Sequence, residues 1–226
     1  MTSTAAALLL ALLAGADPAT AAEAVPAGGA ADDLQPAPRL PSLLGAEPLH
    51  GGSAALAQAG FASLGIVYGQ GVTTRDDLGL ALDLDWSSTE LLLSGFWRRP
   101  IGAVGSWQLA GRLGLGWYLD FGGRFIHDDN RADRGLQLAP ALLLSTRAGE
   151  GLVSVAADLP FTITTWHGGG FLVAPKLSAG YEAPLYGDLS LGLRAGLAWR
   201  GGGGGAPMRT GRVLPELLVL LGYRVF

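Results

Sequence analysis

The residues best suited to chemistry cluster in one polar segment, Arg124–Gly135, which reads RFIHDDNRADRG. It gathers His127, Asp128, Asp129 and Asp133, with His167 in a later polar segment. A histidine beside carboxylates can orient a water and take its proton, which is the arrangement of a hydrolase. The same mixture of Asp, Asn and Arg is also what a solvated loop contains. The acids lack the regular ligand spacing of a calcium loop. There is no cysteine, so disulfides, thiolate metal sites and cysteine nucleophiles are excluded. The run Gly201–Gly205 lacks the Gly-Lys-Ser/Thr end of a phosphate loop and reads as a loop between strands. No metal site and no cofactor is expected.

A second set of polar residues is spread through apolar segments at alternate positions. Asp83, Asp85, Glu90, Asp120, Asp158, Glu182 and Glu216 stand against Arg98, Arg112, Lys176, Arg194, Arg200 and Arg224. A near-balanced set creates little selective field. The expectation is a charge-paired network that fills an interior, and the alternative is an ion path through it.

The elements that must position these charges have a period of two. In Leu78–Trp86, Leu78, Leu80, Leu82, Leu84 and Trp86 share one face, opposite Gly79, Ala81, Asp83 and Asp85. In Trp107–Asp120, Trp107, Leu109, Leu113, Leu115, Trp117 and Leu119 oppose Gln108, Arg112, Tyr118 and Asp120. Segments Val153–Ile163, Phe171–Tyr181 and Leu189–Trp199 alternate in the same way. Such alternation marks amphipathic strands.

Length then selects the solvent. Strands of soluble proteins usually run about 5–6 residues, whereas a strand tilted across a bilayer needs about 9–11. Trp107 and Trp117 sit on one apolar face, ten positions apart. Trp86, Trp97, Tyr181, Trp199 and Tyr223 fall near other strand ends. Belts of Trp and Tyr are expected where hydrocarbon meets headgroups. Nine strands are predicted at about 60–69, 77–86, 89–98, 105–120, 134–147, 151–165, 170–183, 188–200 and 211–226. A further strand within 51–58 makes ten, and bacterial single-chain barrels close with even numbers. Eight is the alternative, if 86–89 is not a turn or the first pair does not span. Long and short connections roughly alternate, as in an up-and-down barrel.

Bulk composition agrees. Of 226 residues, 15% are charged and 49% hydrophobic, and 36 are glycine, which disfavours helices. The net charge of −4, with no basic patch, makes nucleic acid a poor partner. Residues 1–22 read as a secretory signal peptide, with an apolar core from Ala5 to Ala14 and small-residue cleavage sites after it, although no Lys or Arg precedes the core. Residues 23–50, rich in Ala, Pro and Gly, read as a flexible periplasmic tail. Residues 51–226 form the barrel.

Taken together, the leader, the repeated ten-residue amphipathic strands, the absence of cysteine and the terminal phenylalanine resemble a Gram-negative outer-membrane β-barrel protein. The final segment LPELLVLLGYRVF, with Gly222, Tyr223 and Phe226, resembles the strand that the barrel-assembly machinery reads in that class. Tyr223 and Phe226 fall out of phase by one residue. The resemblance implies an all-β, up-and-down antiparallel transmembrane barrel of ten strands, in the outer membrane after Sec-type export. Its partners would be outer-membrane lipid, lipopolysaccharide and the assembly machinery, and a monomer is expected. The expected function is non-enzymatic, of structural or interaction type, with a mostly occluded lumen. The alternatives are a small porin-like channel and a hydrolase with a rim site at His127, Asp128 and Asp129. The paired Asp-Asp and Asp-His motifs of outer-membrane aspartyl-type proteases and the His-x-Ser of lipid A deacylases are absent from the sequence.

Overall fold

The computed structural model describes residues 42–61, 63–123, 132–166, 169–204 and 211–225. Ten strands run through them: β1 Ser53–Gly60, β2 Ser63–Gly71, β3 Asp77–Asp85, β4 Glu90–Val104, β5 Trp107–Asp120 and β6 Asp133–Ala148. Strands β7 and β8 are each in two pieces, Gly151–Asp158 with Phe161–Thr164 and Gly170–Val173 with Lys176–Tyr186. They are followed by β9 Leu189–Gly204 and β10 Arg212–Val225. Every strand pairs antiparallel with its sequence neighbours, and β1 pairs with β10 from Ser53↔Val225 to Gly60↔Leu218. The chain is therefore a closed ten-stranded up-and-down barrel.

The breaks in β7 and β8 have a plain cause. Pro160 and Pro175 have no N–H to give to a ladder. Their carbonyls remain in use, accepting from Ala174 N at 3.1 Å and from Trp199 N at 2.9 Å. The wall thus stays continuous across both interruptions. The turn 86–89 is also a true turn. Asp85 Oδ1 accepts Ser87 N at 2.9 Å, Ser87 Oγ at 2.6 Å and Ser88 N at 3.3 Å, and Thr89 takes a φ of 56°. An Asp side chain bonded to the backbone two residues on favours such a turn. This turn, together with the strand Ser53–Gly60, decides for ten strands over eight.

Register fixes the barrel's dimensions. Following Cα partners once around from Leu119 leads through Leu91, Leu84, Leu64, Ala59, Val219, Leu193, Tyr181 and Val153 to Thr146. Thr146 lies one residue beyond the Gln108–Ser145 pair, so the circuit returns to β5 about twelve positions from its start. Ten strands with that stagger tilt by about 40° and enclose a backbone radius of about 10 Å.

Alternation now has two environments. Leu80, Leu115, Leu177 and Leu217 point outward and are exposed, whereas Ala110, Leu143, Leu218 and Leu220 point inward and are buried. The termini of the barrel lie at one end, the terminal end, with connections 72–76, 105–106, 149–150 and 187–188. The opposite end, the loop end, carries 61–62, 86–89, 121–132, 165–169 and 205–211.

One expectation is corrected. The lead-in read as flexible up to His50 is, from Ser42 onward, inside the barrel. Ser42, Leu43, Leu44, Ala46 and Leu49 are all buried. Prolines forbid this stretch a regular element, but they do not keep its leucines out of an apolar interior. A backbone radius of about 10 Å exceeds that of an eight-stranded barrel, whose side chains just fill it, and the segment occupies the difference. The next residues turn sharply into β1, with positive φ at His50 (50°) and Gly51 (86°) and a bond from Gly52 N to Leu49 O at 2.9 Å.

Asp85→Ala should lower unfolding stability by about 1–2 kcal/mol, because three local hydrogen bonds lose their acceptor. Denaturant titration of the purified protein in detergent measures the change, and Asp85→Asn, which keeps the acceptor oxygen, should recover most of it.

Candidate functional site: the lumen

Inward-pointing polar side chains form three tiers along the barrel axis. The tier at the terminal end surrounds the segment Ser42–Leu49. Arg98 donates to Asp77 Oδ2 through Nε at 2.9 Å, its Nη2 lies 2.8 Å from the same oxygen as an ion pair, and both side chains are almost fully buried. Arg98 Nη1 also donates to the carbonyls of Ser42, at 2.9 Å, and Gly45, at 2.8 Å. Glu182 accepts from Ser42 Oγ at 2.5 Å and from Ser190 Oγ. Ser145 Oγ accepts Ala46 N at 2.9 Å, and Asp77 Oδ1 accepts Leu49 N at 3.0 Å. The wall thus supplies the partners that an irregular buried backbone requires.

Apolar contacts complete the seal. Leu43 and Leu49 cluster with Ala54, Leu56, Leu218 and Leu220 on one side of the lumen. Ala46 packs with Ala110, Leu143 and Ala156 on the other. Two voids remain beside the segment, each about 10 Å³, about one water-sized probe. At the mouth of the barrel Arg147 pairs with Glu47 at 2.9 Å, exposed to solvent.

In the middle tier Arg112 pairs with Asp158 at 2.6 Å, Lys176 forms an ion pair with Glu216, and Arg194 lies 3.7 Å from Glu216. Gln58 links the tier by donating to Asp83 Oδ1 at 2.7 Å and accepting from Arg194 Nη2 at 3.5 Å. Near the loop end Arg200 Nη2 pairs with Glu90 at 2.6 Å and donates to Tyr118 Oη at 3.1 Å. Tyr118 in turn donates to Asp120 Oδ2 at 3.1 Å.

Eleven of the thirteen charges expected in a lumen network therefore face the interior within these tiers: Asp83, Glu90, Arg98, Arg112, Asp120, Asp158, Lys176, Glu182, Arg194, Arg200 and Glu216. The remaining two serve other ends. Asp85 caps the turn after β3, and Arg224 sits at the terminal rim, where its N–H donates to Asp188 O at 3.0 Å. Asp77 was missed, although it shares the parity of Asp83 and Asp85. It stands at a strand's first residue, where alternation is hard to read. Ser42 and Ser145 carried no signal, since their role depends on a chain segment entering the barrel.

Around the outside, the register places Trp86, Trp117 and Trp199 toward the loop end and Tyr181 and Tyr223 toward the terminal end, separated by about 20 Å. All five are exposed. Trp107 lies on the projecting β4–β5 hairpin. Trp97 belongs to an exposed cluster at the terminal rim, where Asp76 accepts from Arg99 Nε at 2.8 Å, Arg99 Nη2 at 2.9 Å, Trp97 Nε1 at 2.8 Å and Thr73 Oγ1 at 3.0 Å. The Arg99 guanidinium, then the Trp97 indole, hold the Asp76 carboxyl well below the usual carboxylate range. Gly222 and Tyr223 are in β10, and Phe226 lies outside the described residues.

The loop-end histidine cluster cannot be assembled from the described residues, because His127, Asp128, Asp129 and His167 lie outside them. Asp133 is described and is occupied as an anchor, accepting Arg134 N at 2.7 Å and Trp166 N at 3.2 Å. Among the described residues no group of three or more acids or histidines is placed to hold a metal ion.

Two outcomes follow. Asp77→Ala should cost about 3–5 kcal/mol, because it leaves the buried Arg98 uncompensated, while Glu47→Ala at the exposed pair should cost no more than about 1 kcal/mol. Denaturant unfolding of the two variants checks the contrast. A depressed carboxylate contributes stability above its ordinary titration range and loses it as pH falls through its folded value. Unfolding midpoints should therefore drop between about pH 5 and pH 2, and Asp76→Asn should flatten that slope.

No protein-family model, no curated protein and no solved structure matches this chain, so the reading of its function rests on its own geometry.

Proposed function

We propose that this protein is an exported, monomeric outer-membrane β-barrel of structural or interaction type, without catalytic activity, whose lumen is closed to solutes at rest. The observation that carries the reading is the outer surface. A continuous belt of exposed leucines, including Leu80, Leu93, Leu115, Leu177, Leu193 and Leu217, girdles the closed barrel between rims of Trp and Tyr. Isolated apolar patches on soluble proteins rarely exceed a few hundred Å². A belt around the full circumference has only a hydrocarbon phase as its natural solvent.

Lipid would therefore be the first partner, with lipopolysaccharide at the loop end and the barrel-assembly machinery as the reader of Gly222, Tyr223 and Phe226. The connections support this orientation. The terminal end carries mostly two-residue turns and the other end most of the long loops, as in outer-membrane barrels with periplasmic termini. What supports the non-catalytic reading is the interior, where the described acids and bases pair with one another and with the inserted segment.

Membrane fractionation followed by gel migration tests the proposal. The protein should require detergent, and unheated samples should migrate differently from boiled ones. A protein that stays soluble without detergent and migrates identically in both would sink it. In lipid, Leu115→Arg should cost about 2–4 kcal/mol at the middle of the apolar band, and a similar change at a loop end should cost little.

A further inference from the structure

Among the described residues, the outward faces of the ten strands carry two charged side chains, Arg99 and Arg134. Alternation sends the other charges of the wall inward. Arg99 stands at the terminal rim and pairs with Asp76 at 2.8 Å. Arg134 stands at the loop end, with the parity of the exposed Leu136 and Leu138. It is exposed too, and its guanidinium meets no carboxylate among the described residues. The neighbouring Asp133 is buried, and its Oδ1 accepts the main-chain N–H groups of Arg134 and Trp166.

An aromatic ring holds Arg134 instead of an acid. Its guanidinium carbon lies 4.2 Å from the centroid of the Trp166 ring. Thr165 N donates to Arg134 O at 2.9 Å, which ties the end of β7 to β6 beside that contact. A ring face attracts a cation without supplying a negative charge, so the fork of N–H donors still wants acceptors. Register sets the height of the group. Leu136 pairs with Trp117 of the aromatic rim, and Arg134 lies two residues nearer the loop end. At a tilt of about 40°, that places Arg134 about 5–8 Å beyond the rim. The headgroup layer outside the hydrocarbon is about 5–7 Å deep on each side. Below Arg134 on the same face, Leu136, Leu138 and Ile163 form an exposed apolar strip that runs into the belt.

We propose that Arg134, steadied by Trp166, binds the phosphate of a phosphorylated outer-leaflet lipid whose acyl chain lies along Leu136, Leu138 and Ile163. Charge and height select this ligand. A phosphate presents paired oxygens that match a guanidinium fork, and a lipid carries it just above its apolar chains. Inorganic phosphate would fill the fork but leave the apolar strip unused. The proposal rests on the membrane reading above and names one lipid contact within it.

The test uses the full chain in a neutral detergent, with lipid A as the probe and native mass spectrometry to count bound lipid. Arg134→Gln should weaken the tightest lipid A site about tenfold, the loss of a charge-assisted pair. Arg134→Lys keeps the charge without the fork and should fall between that variant and wild type. Trp166→Leu, which frees the guanidinium from its ring, should also weaken the site. Arg99→Gln, at the opposite rim, should bind as wild type does. Lipid A stripped of its phosphates should bind wild type no better than lipid A binds Arg134→Gln.

The substituted side chains are exposed, and heat-modifiable migration selects the variants that keep the barrel. If Arg134→Gln binds lipid A as tightly as wild type, or if the dephosphorylated lipid binds equally well, the site is refuted while the membrane reading stands. Inorganic phosphate that displaces lipid A at equal concentration would also overturn the site, since the acyl chain would then contribute nothing. A protein that needs no detergent would instead overturn the membrane reading, and the lipid site with it.

Discussion

Closure of the hydrogen-bond ladder between β1 and β10 is the constraint on which the rest of this protein depends. An open sheet of these strands would expose two rows of unpaired backbone donors and acceptors beside an apolar outer face. Such an edge templates aggregation in water and is intolerable in a hydrocarbon phase. Antiparallel pairing of Ser53–Gly60 with the last strand removes both edges at once. The prolines at 160 and 175 test the tolerance of this ladder. Each deletes a donor and splits a strand, but each carbonyl still accepts from a neighbouring strand, so the wall stays paired across the break.

From closure follows size, and from size follows the interior. Ten strands at the observed stagger enclose a lumen that inward side chains do not fill unaided. The middle and loop-end tiers fill it with ion pairs and hydrogen bonds. Desolvated charges need partners within reach, and Arg112 with Asp158 or Arg200 with Glu90 supply them directly. At the terminal end the solution is different. Arg98 is held by one carboxylate and two main-chain carbonyls of a segment that is not part of the wall. One guanidinium, with its rigid fork of donors, therefore ties the wall and the inserted segment together.

This division of labour bears on function. Ion pairs such as Arg112 with Asp158 and Arg200 with Glu90 tie strands together across the interior. Among the described residues, the seal near the termini is built from Ser42–Leu49, a stretch of chain that is not part of the wall.

Much of this was legible in the sequence, and the reason is periodicity. Alternation along Leu78–Trp86 or Trp107–Asp120 assigns each residue a side, because a strand has only two. Strand length, the tryptophan spacing and the parity of Asp83, Arg112, Lys176 and Arg194 all follow from that one rule. Tertiary structure decided what alternation cannot express. Which acid meets which base depends on the stagger between strands, a property of the closed ladder. The fate of Ser42–Leu49 depends on the volume that closure leaves empty. A proline-rich stretch without a period reads as a free tail until a cavity of its width exists to receive it.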